Sequence, residues 1–206
     1  DPALLDRIAS YLEMQQLNDG SWLLDRYNLN TDSAEQRVVS TAYVVWGMAD
    51  SGHADSYAVQ RGLDYLTLAL TEAAAAAPPV AGVERLPENR EHKGDAPTER
   101  PSYPPPSQPA SLGDQPLSTY ALALVANAFV AAGQDATSLL DELLARSDVD
   151  EQGARYWTGG ASTYYGGYGD AVTIETTALV AQALLRADYA PEAAAAAIAY
   201  IGAQRD

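Results

Sequence analysis

The tightest group of chemically capable residues in this sequence is Asp148-Val149-Asp150-Glu151, three carboxyl groups within one short stretch. Crowded carboxylates in a dry cavity can hold one acid protonated, and such an acid can deliver a proton to an alkene. These acids, however, follow an amphipathic segment and precede Gln152-Gly153. Acids in that setting usually stand in water, so a solvated loop at a helix end is expected. The two histidines are His53, after Gly52 in a turn, and His92, in a proline-rich stretch. With no cysteine and no His-x-x-x-His spacing, they predict no metal site. Ser118 and Thr119 have no evident His and Asp partners for a hydrolytic triad. The run from Gly159 to Gly169 lacks the Gly-Lys-Ser/Thr ending of a phosphate-cradling loop. Its tyrosines, Tyr164, Tyr165 and Tyr168, could stack on a sugar or a partner, or pack over helix ends, the second being the expected role. No catalytic, cofactor-binding or metal residue is assigned, and no cofactor is expected.

Positioning any of these groups requires a core, and the composition supplies one. The 206 residues are 47% hydrophobic, ample for burial in one domain or two small ones. A net charge of −16 repels phosphate backbones and anionic surfaces, which argues against nucleic-acid binding. The longest uncharged apolar stretches, Ala121 to Gly133 and Thr176 to Leu185, are shorter than the ~20 residues that span a bilayer. The absence of cysteine excludes a disulfide, a thiolate zinc site, a cysteine nucleophile and a thioester within these residues. No basic-then-apolar signal segment follows Asp1-Pro2, so any targeting signal is expected upstream.

Apolar periodicity predicts seven helices of two alternating kinds. Leu4, Leu5, Ile8, Tyr11 and Leu12 share a side opposite Asp6 and Glu13, as do Leu139, Leu140, Leu143 and Leu144 opposite Asp141, Glu142 and Arg146. Between such amphipathic helices come stretches uncharged through their centres, Val38 to Ala49, Leu117 to Gln134 and Thr176 to Leu185. A helix without a charged face is normally buried on most sides, so the alternation predicts an outer wet layer and an inner enclosed one. The inner stretches also repeat small residues: Ala42 with Gly47, Ala123 with Ala128, and Ala178 with Ala183. Repeated small side chains imply repeated close packing, so Ala128 and Ala183 should face helices.

The interval from Ala42 to Ala123 is longer than that from Ala123 to Ala178, and the excess lies between Ala77 and Pro116. Ten of the twelve prolines fall there, among charged residues. That composition predicts an extended loop or a partly disordered surface insertion, with a proline-rich ligand as the alternative.

Taken in order, "NDGSW", "STAYVVWGMADSG", "RGLDYL", "YALALVANAFVAAGQDATSLLDELL" and "YWTGGASTYYGGYGDAVTIETTALVAQALL" resemble the thioester-containing domain of bacterial α2-macroglobulins. The carrying residues are Tyr156-Trp157, Glu175-Thr176-Thr177-Ala178 at the start of an inner helix, and Asn18-Asp19-Gly20-Ser21-Trp22 after an outer one. The resemblance covers nearly the whole chain apart from the proline-rich insertion. It implies an all-α, α/α-toroid fold, a ring of helical hairpins of the terpenoid cyclase and prenyltransferase type. On that reading residues 1–206 form a single partial toroid domain with the insertion at 77–116.

The resemblance further implies a complement-like, non-catalytic segment of an endopeptidase inhibitor, a protease trap of the bacterial envelope, periplasmic or secreted. Its partners would be other domains of the parent protein, with proteases as the parent's targets. In the family a Cys-Gly-Glu-Gln thioester motif lies upstream of a helix like the first one here, and after "AQR" the sequence continues into another inner helix. The stretch "LLDRYNLNTDSAEQ" lacks the histidine that some complement-type members place there to relay the acyl group. Two other classes stand beside this reading. One is an enzyme on the same scaffold, terpene cyclase-like or glycan-active, which needs several acids in the ring cavity where the inner helices offer mainly Glu175. The other is a helical interaction scaffold.

Overall fold

A computed structural model describes residues 1–23, 33–76, 116–160 and 167–204. The described residues form seven α-helices: α1 (Pro2–Gln15), α2 (Ala34–Met48), α3 (Tyr57–Ala76), α4 (Thr119–Ala131), α5 (Thr137–Ala145), α6 (Asp170–Arg186) and α7 (Pro191–Ala203). The chain is thus mostly helical, as the alternation predicts. The proline-rich stretch at 77–115, including His92, and the tyrosines at 164 and 165 lie outside the described residues.

Local chemistry sets the helix starts. Asp1 caps α1 by accepting from the Ala3 amide, and Pro2 follows at the first helical position. Ser33 and Gln36 cap α2 reciprocally, each side chain satisfying the other's backbone N–H. Ser118 accepts from the Ala121 amide at the start of α4. The inner helices α2 and α6 begin earlier than their uncharged stretches suggest, because the first turn accommodates carboxylates such as Glu35 and Asp170 beside its unsatisfied N–H groups. Helix α2 runs on into a π turn, Ala49–His53, before α3.

One ladder departs from the helical plan. Strands β1 (Asp148–Val149) and β2 (Arg155–Tyr156) pair antiparallel, with Asp148 opposite Tyr156. Two-residue strands carry no readable alternation, so the sequence shows only their turn.

The core is built on α4. This helix packs against α2 on one side and α6 on the other, and every residue from Tyr120 to Ala128 is buried. Asn127, fully enclosed within α4, donates from Nδ2 to the Leu179 carbonyl of α6 at 2.9 Å. Helices α3, α5 and α7 pack principally on α2, α4 and α6, the helix preceding each. Like ends of the inner helices are tied together. Glu35 in the first turn of α2 accepts from the Ser118 amide before α4, at 2.9 Å, while Asp50 beyond α2 receives Arg186 from the end of α6, at 2.8 Å. The three inner helices therefore run in the same sense.

Burial at the repeated small residues follows from this order. Ala128 and Ala183 are fully buried, as expected, and so are Ala42 and Ala123. Gly47 and Ala178 are exposed, because α2 and α6 each have α4 on one flank and nothing comparable on the other. Where close approach is needed, glycine provides it: a Cβ on Gly62 of α3 would meet Trp22 at 2.9 Å and press on Val45 of α2. The expectation for α5 holds, with Leu140 and Leu143 buried. That for α1 does not. Of its apolar residues only Ala9 is buried, and Leu4, Leu5, Ile8 and Tyr11 are exposed, because α1 has no described helix against that side.

Two measurements test this packing. Ala183→Leu should overfill the contact and destabilise the chain by about 1 to 3 kcal/mol in a urea melt, whereas Ala178→Leu should change little. The second concerns Asp50, whose carboxyl is held below its ordinary range chiefly by the hydrogen bond from Arg186. A depressed carboxylate contributes stability above its unfolded pKa and loses it as pH falls through the folded one. Arg186→Ala should therefore cost no more than about 1 kcal/mol at neutral pH, the pair being partly exposed, and the two stability curves should converge in acid.

Candidate functional site

The structure separates the residues whose types first suggested chemistry. Asp148 and Val149 form β1 and are exposed. Asp150 makes the hairpin turn, its Oδ1 accepting from the amides of Gln152 at 2.9 Å and Ala154 at 2.8 Å. Its carboxylate is thus used as a turn former, and Glu151 beside it is exposed. Ser118 is a helix cap, and Thr119 opens α4. His53 sits in the π turn, with Nδ1 3.2 Å from Ser51 Oγ and Nε2 3.3 Å from Asp6 on α1. Among the described residues no group of three or more His, Cys, Asp or Glu is placed to hold a metal, and no helix is long and apolar enough to cross a membrane. In the glycine-rich run, Gly159 is packed so closely on α6 that a Cβ would collide with Thr176 Oγ1, and Tyr168 is exposed.

The residues "NDGSW" and "YWTGG…ETTA" are instead brought into equivalent roles. Trp22, buried after α1, donates its indole N–H to the Leu12 carbonyl in the last turn of α1, at 2.8 Å. Its backbone N–H donates to Thr41 Oγ1 within α2, at 3.0 Å. Trp157, buried after α5, donates its indole N–H to the Leu143 carbonyl of α5 and its backbone N–H to Thr177 Oγ1 of α6, at 3.1 Å. Each tryptophan thus joins the end of one outer helix to the middle of the next inner one through the same pair of bonds. Thr41 precedes Ala42 as Thr177 precedes Ala178, so the junctions fall in register with the small-residue repeat. The first junction has additional supports. Asp19 accepts from Ser21 and lies 3.5 Å from Arg37 of α2, and the Gln16 amide nitrogen donates to the Gly20 and Ala58 carbonyls.

A second polar feature runs across the inner layer. Tyr120 of α4 donates its hydroxyl to Glu175 of α6 at 3.0 Å, and the Tyr43 hydroxyl of α2 lies 2.9 Å from that of Tyr120. Because Tyr120 commits its one proton to Glu175, Tyr43 acts as donor to Tyr120. One residue from each inner helix therefore forms a continuous row ending at a carboxylate, which crosslinks the layer. Sequence reasoning picks out Glu175 but misses the tyrosines, which hold different positions in the repeat: Tyr43 follows Ala42, whereas Tyr120 precedes Ala123 by a turn. Elsewhere, a groove of about 490 Å³ between α3, α4 and α5 is lined by Leu70, Leu122 and Phe129, with Glu142 and Arg146 bonded to each other within it.

The two junctions make a matched pair of predictions. Thr41→Val and Thr177→Val should each strand a buried tryptophan amide and cost about 1 to 3 kcal/mol in thermal or urea unfolding, against little for Thr71→Val on an exposed face. Unequal losses, with one junction indifferent, would contradict their equivalence. No family model and no curated protein matches this sequence.

Proposed function

We propose that this chain is part of the thioester-containing α/α toroid of a bacterial α2-macroglobulin-like protease-trapping inhibitor, and that it is non-catalytic in itself. The observation that carries the reading is the duplicated tryptophan junction. The "NDGSW" and "YW…ETTA" residues on which the resemblance rests make one and the same contact at two outer-to-inner connections, α1 to α2 and α5 to α6. Recurrence of one crossing contact, and inner helices running in one sense, are both compatible with a ring of helical hairpins. The non-catalytic role is supported by the use made of the acids singled out in the sequence: Asp150 forms a turn and Glu175 accepts from a tyrosine row. On this reading any covalent chemistry belongs to a Cys-Gly-Glu-Gln motif upstream in the parent, which some bacterial members lack, the partners are the parent's other domains, and its place is the cell envelope, periplasmic or secreted.

The test uses both the chain and its parent. The purified chain should take up no methylamine and hydrolyse no generic ester through its own side chains. The intact parent should retain an added protease after cleavage of its bait region, and should incorporate methylamine if the upstream motif is present. Ester hydrolysis by the chain that is lost with a single side-chain substitution, or a parent that leaves proteases free and untrapped, would overturn the proposal.

A further inference from the structure

The groove of about 490 Å³ between α3, α4 and α5 lies where an equivalent space elsewhere in the chain is filled by a tryptophan. At the first junction Trp22 is buried among an outer helix, the inner helix that follows and the next outer helix. It donates to the Leu12 carbonyl of α1 and to Thr41 of α2, and its ring lies against Gly62 of α3. One helical hairpin further on, the corresponding space is bounded by α3, α4 and α5. Leu122, which precedes Ala123 as Thr41 precedes Ala42, lines the groove there, and Leu70, Phe129 and Leu139 complete an apolar wall.

Two features of the chain bear on what the groove holds. The first is where the chain leaves and returns. Ala73 and Ala74, in the last turn of α3, line the groove, and so does Pro116, where the described chain resumes. Arg146 of α5 holds that return by donating to the Leu117 carbonyl at 2.8 Å. Residues 77–115 therefore start and finish at the rim of the groove. The second feature is spacing. Trp22 stands 19 residues before Thr41 and Trp157 stands 20 before Thr177, while Tyr103 stands 19 before Leu122. Tyr103 is also the one Phe, Trp or Tyr between Ala77 and Gln115.

We propose that the groove seats the side chain of Tyr103, with Pro104, Pro105 and Pro106 beside it. An apolar wall favours burial of a large ring, and Asp135 and Ser138, which also line the groove, offer polar partners to the phenol hydroxyl. Leu122 provides no acceptor in place of the threonine hydroxyl. That suits a stretch in which only Tyr103 carries a backbone N–H, the three prolines having none. A segment tethered at both rims is also present at high local concentration, which favours it over a second copy of the chain or a separate partner. The inference rests on the recurring junction and not on protease trapping, and its test involves neither protease nor thioester, so each reading can fail without the other.

Phe129 is the only phenylalanine of the chain, so fluorinated phenylalanine incorporated into the whole protein reports on the groove alone. A nuclear Overhauser contact between its ring and a tyrosine ring is expected. In Tyr103→Ala the contact should be lost and the fluorine resonance should shift. Tyr168→Ala, at an exposed tyrosine, should change neither. The proposal is overturned if the original sequence shows no such contact, an outcome that does not depend on how any variant folds. It is equally overturned if the contact survives Tyr103→Ala, or if it disappears on dilution, which would put a second copy in the groove.

Discussion

The packing of this protein depends on how a helix end is handed to the next helix. An outer helix finishes with carbonyls that have no partner in their own ladder, and the chain must then cross to the inner layer without leaving its amides unsatisfied in the interior. Trp22 and Trp157 meet both needs at once. The ring N–H satisfies a carbonyl of the helix just ended, the backbone N–H is taken by a threonine of the helix about to pack, and the indole body fills the space between. Remove either acceptor and a buried donor is stranded. Threonine is an unremarkable helix residue by propensity, and its presence at positions 41 and 177 is explained by this contact.

The two junctions fix the angle and depth at which α2 and α6 enter the layer, and α4 is held between them. Its complete burial is a consequence of having inner neighbours on both sides, while its neighbours keep one flank open. The hydroxyl row from Tyr43 through Tyr120 to Glu175 and the amide of Asn127 then set how the three helices align along their lengths. Apolar contact among alanines and valines is poor at choosing between neighbouring registers. Directional polar bonds between helices make that choice, provided each is satisfied.

Much of the arrangement could be read beforehand. The absence of charge in three stretches located the inner helices, although α2 and α6 begin earlier than those stretches. The amphipathic pattern of α5 placed Leu140 and Leu143 correctly. For α1 the same pattern gave burial where the structure has exposure, because periodicity reports which side of a helix needs cover and carries no information about what supplies it. The β1–β2 hairpin was hidden by its brevity. The tyrosine row was hidden because its members sit at different positions of the repeat, so that only packing in three dimensions aligns them. Asp148, Asp150 and Glu151 looked like a group in sequence, and the turn assigns each a separate surrounding.

The common sense of α2, α4 and α6 has an electrical consequence. Each helix is a dipole with its positive end at the amino terminus, and three laid side by side in one direction add their fields and repel one another. The outer helices, reversed by their short connections, offset part of this. The side chains offset more: Glu35 and Asp170 stand at the amino-terminal edge and Arg186 at the opposite one. A chain with a net charge of −16 has acids to spare, yet it places its one basic residue of the inner helices' last turns where the carbonyl ends gather. The inner layer is in effect a polarised slab whose two rims are chemically unlike, so anything that meets it end-on encounters a different surface according to which rim it approaches.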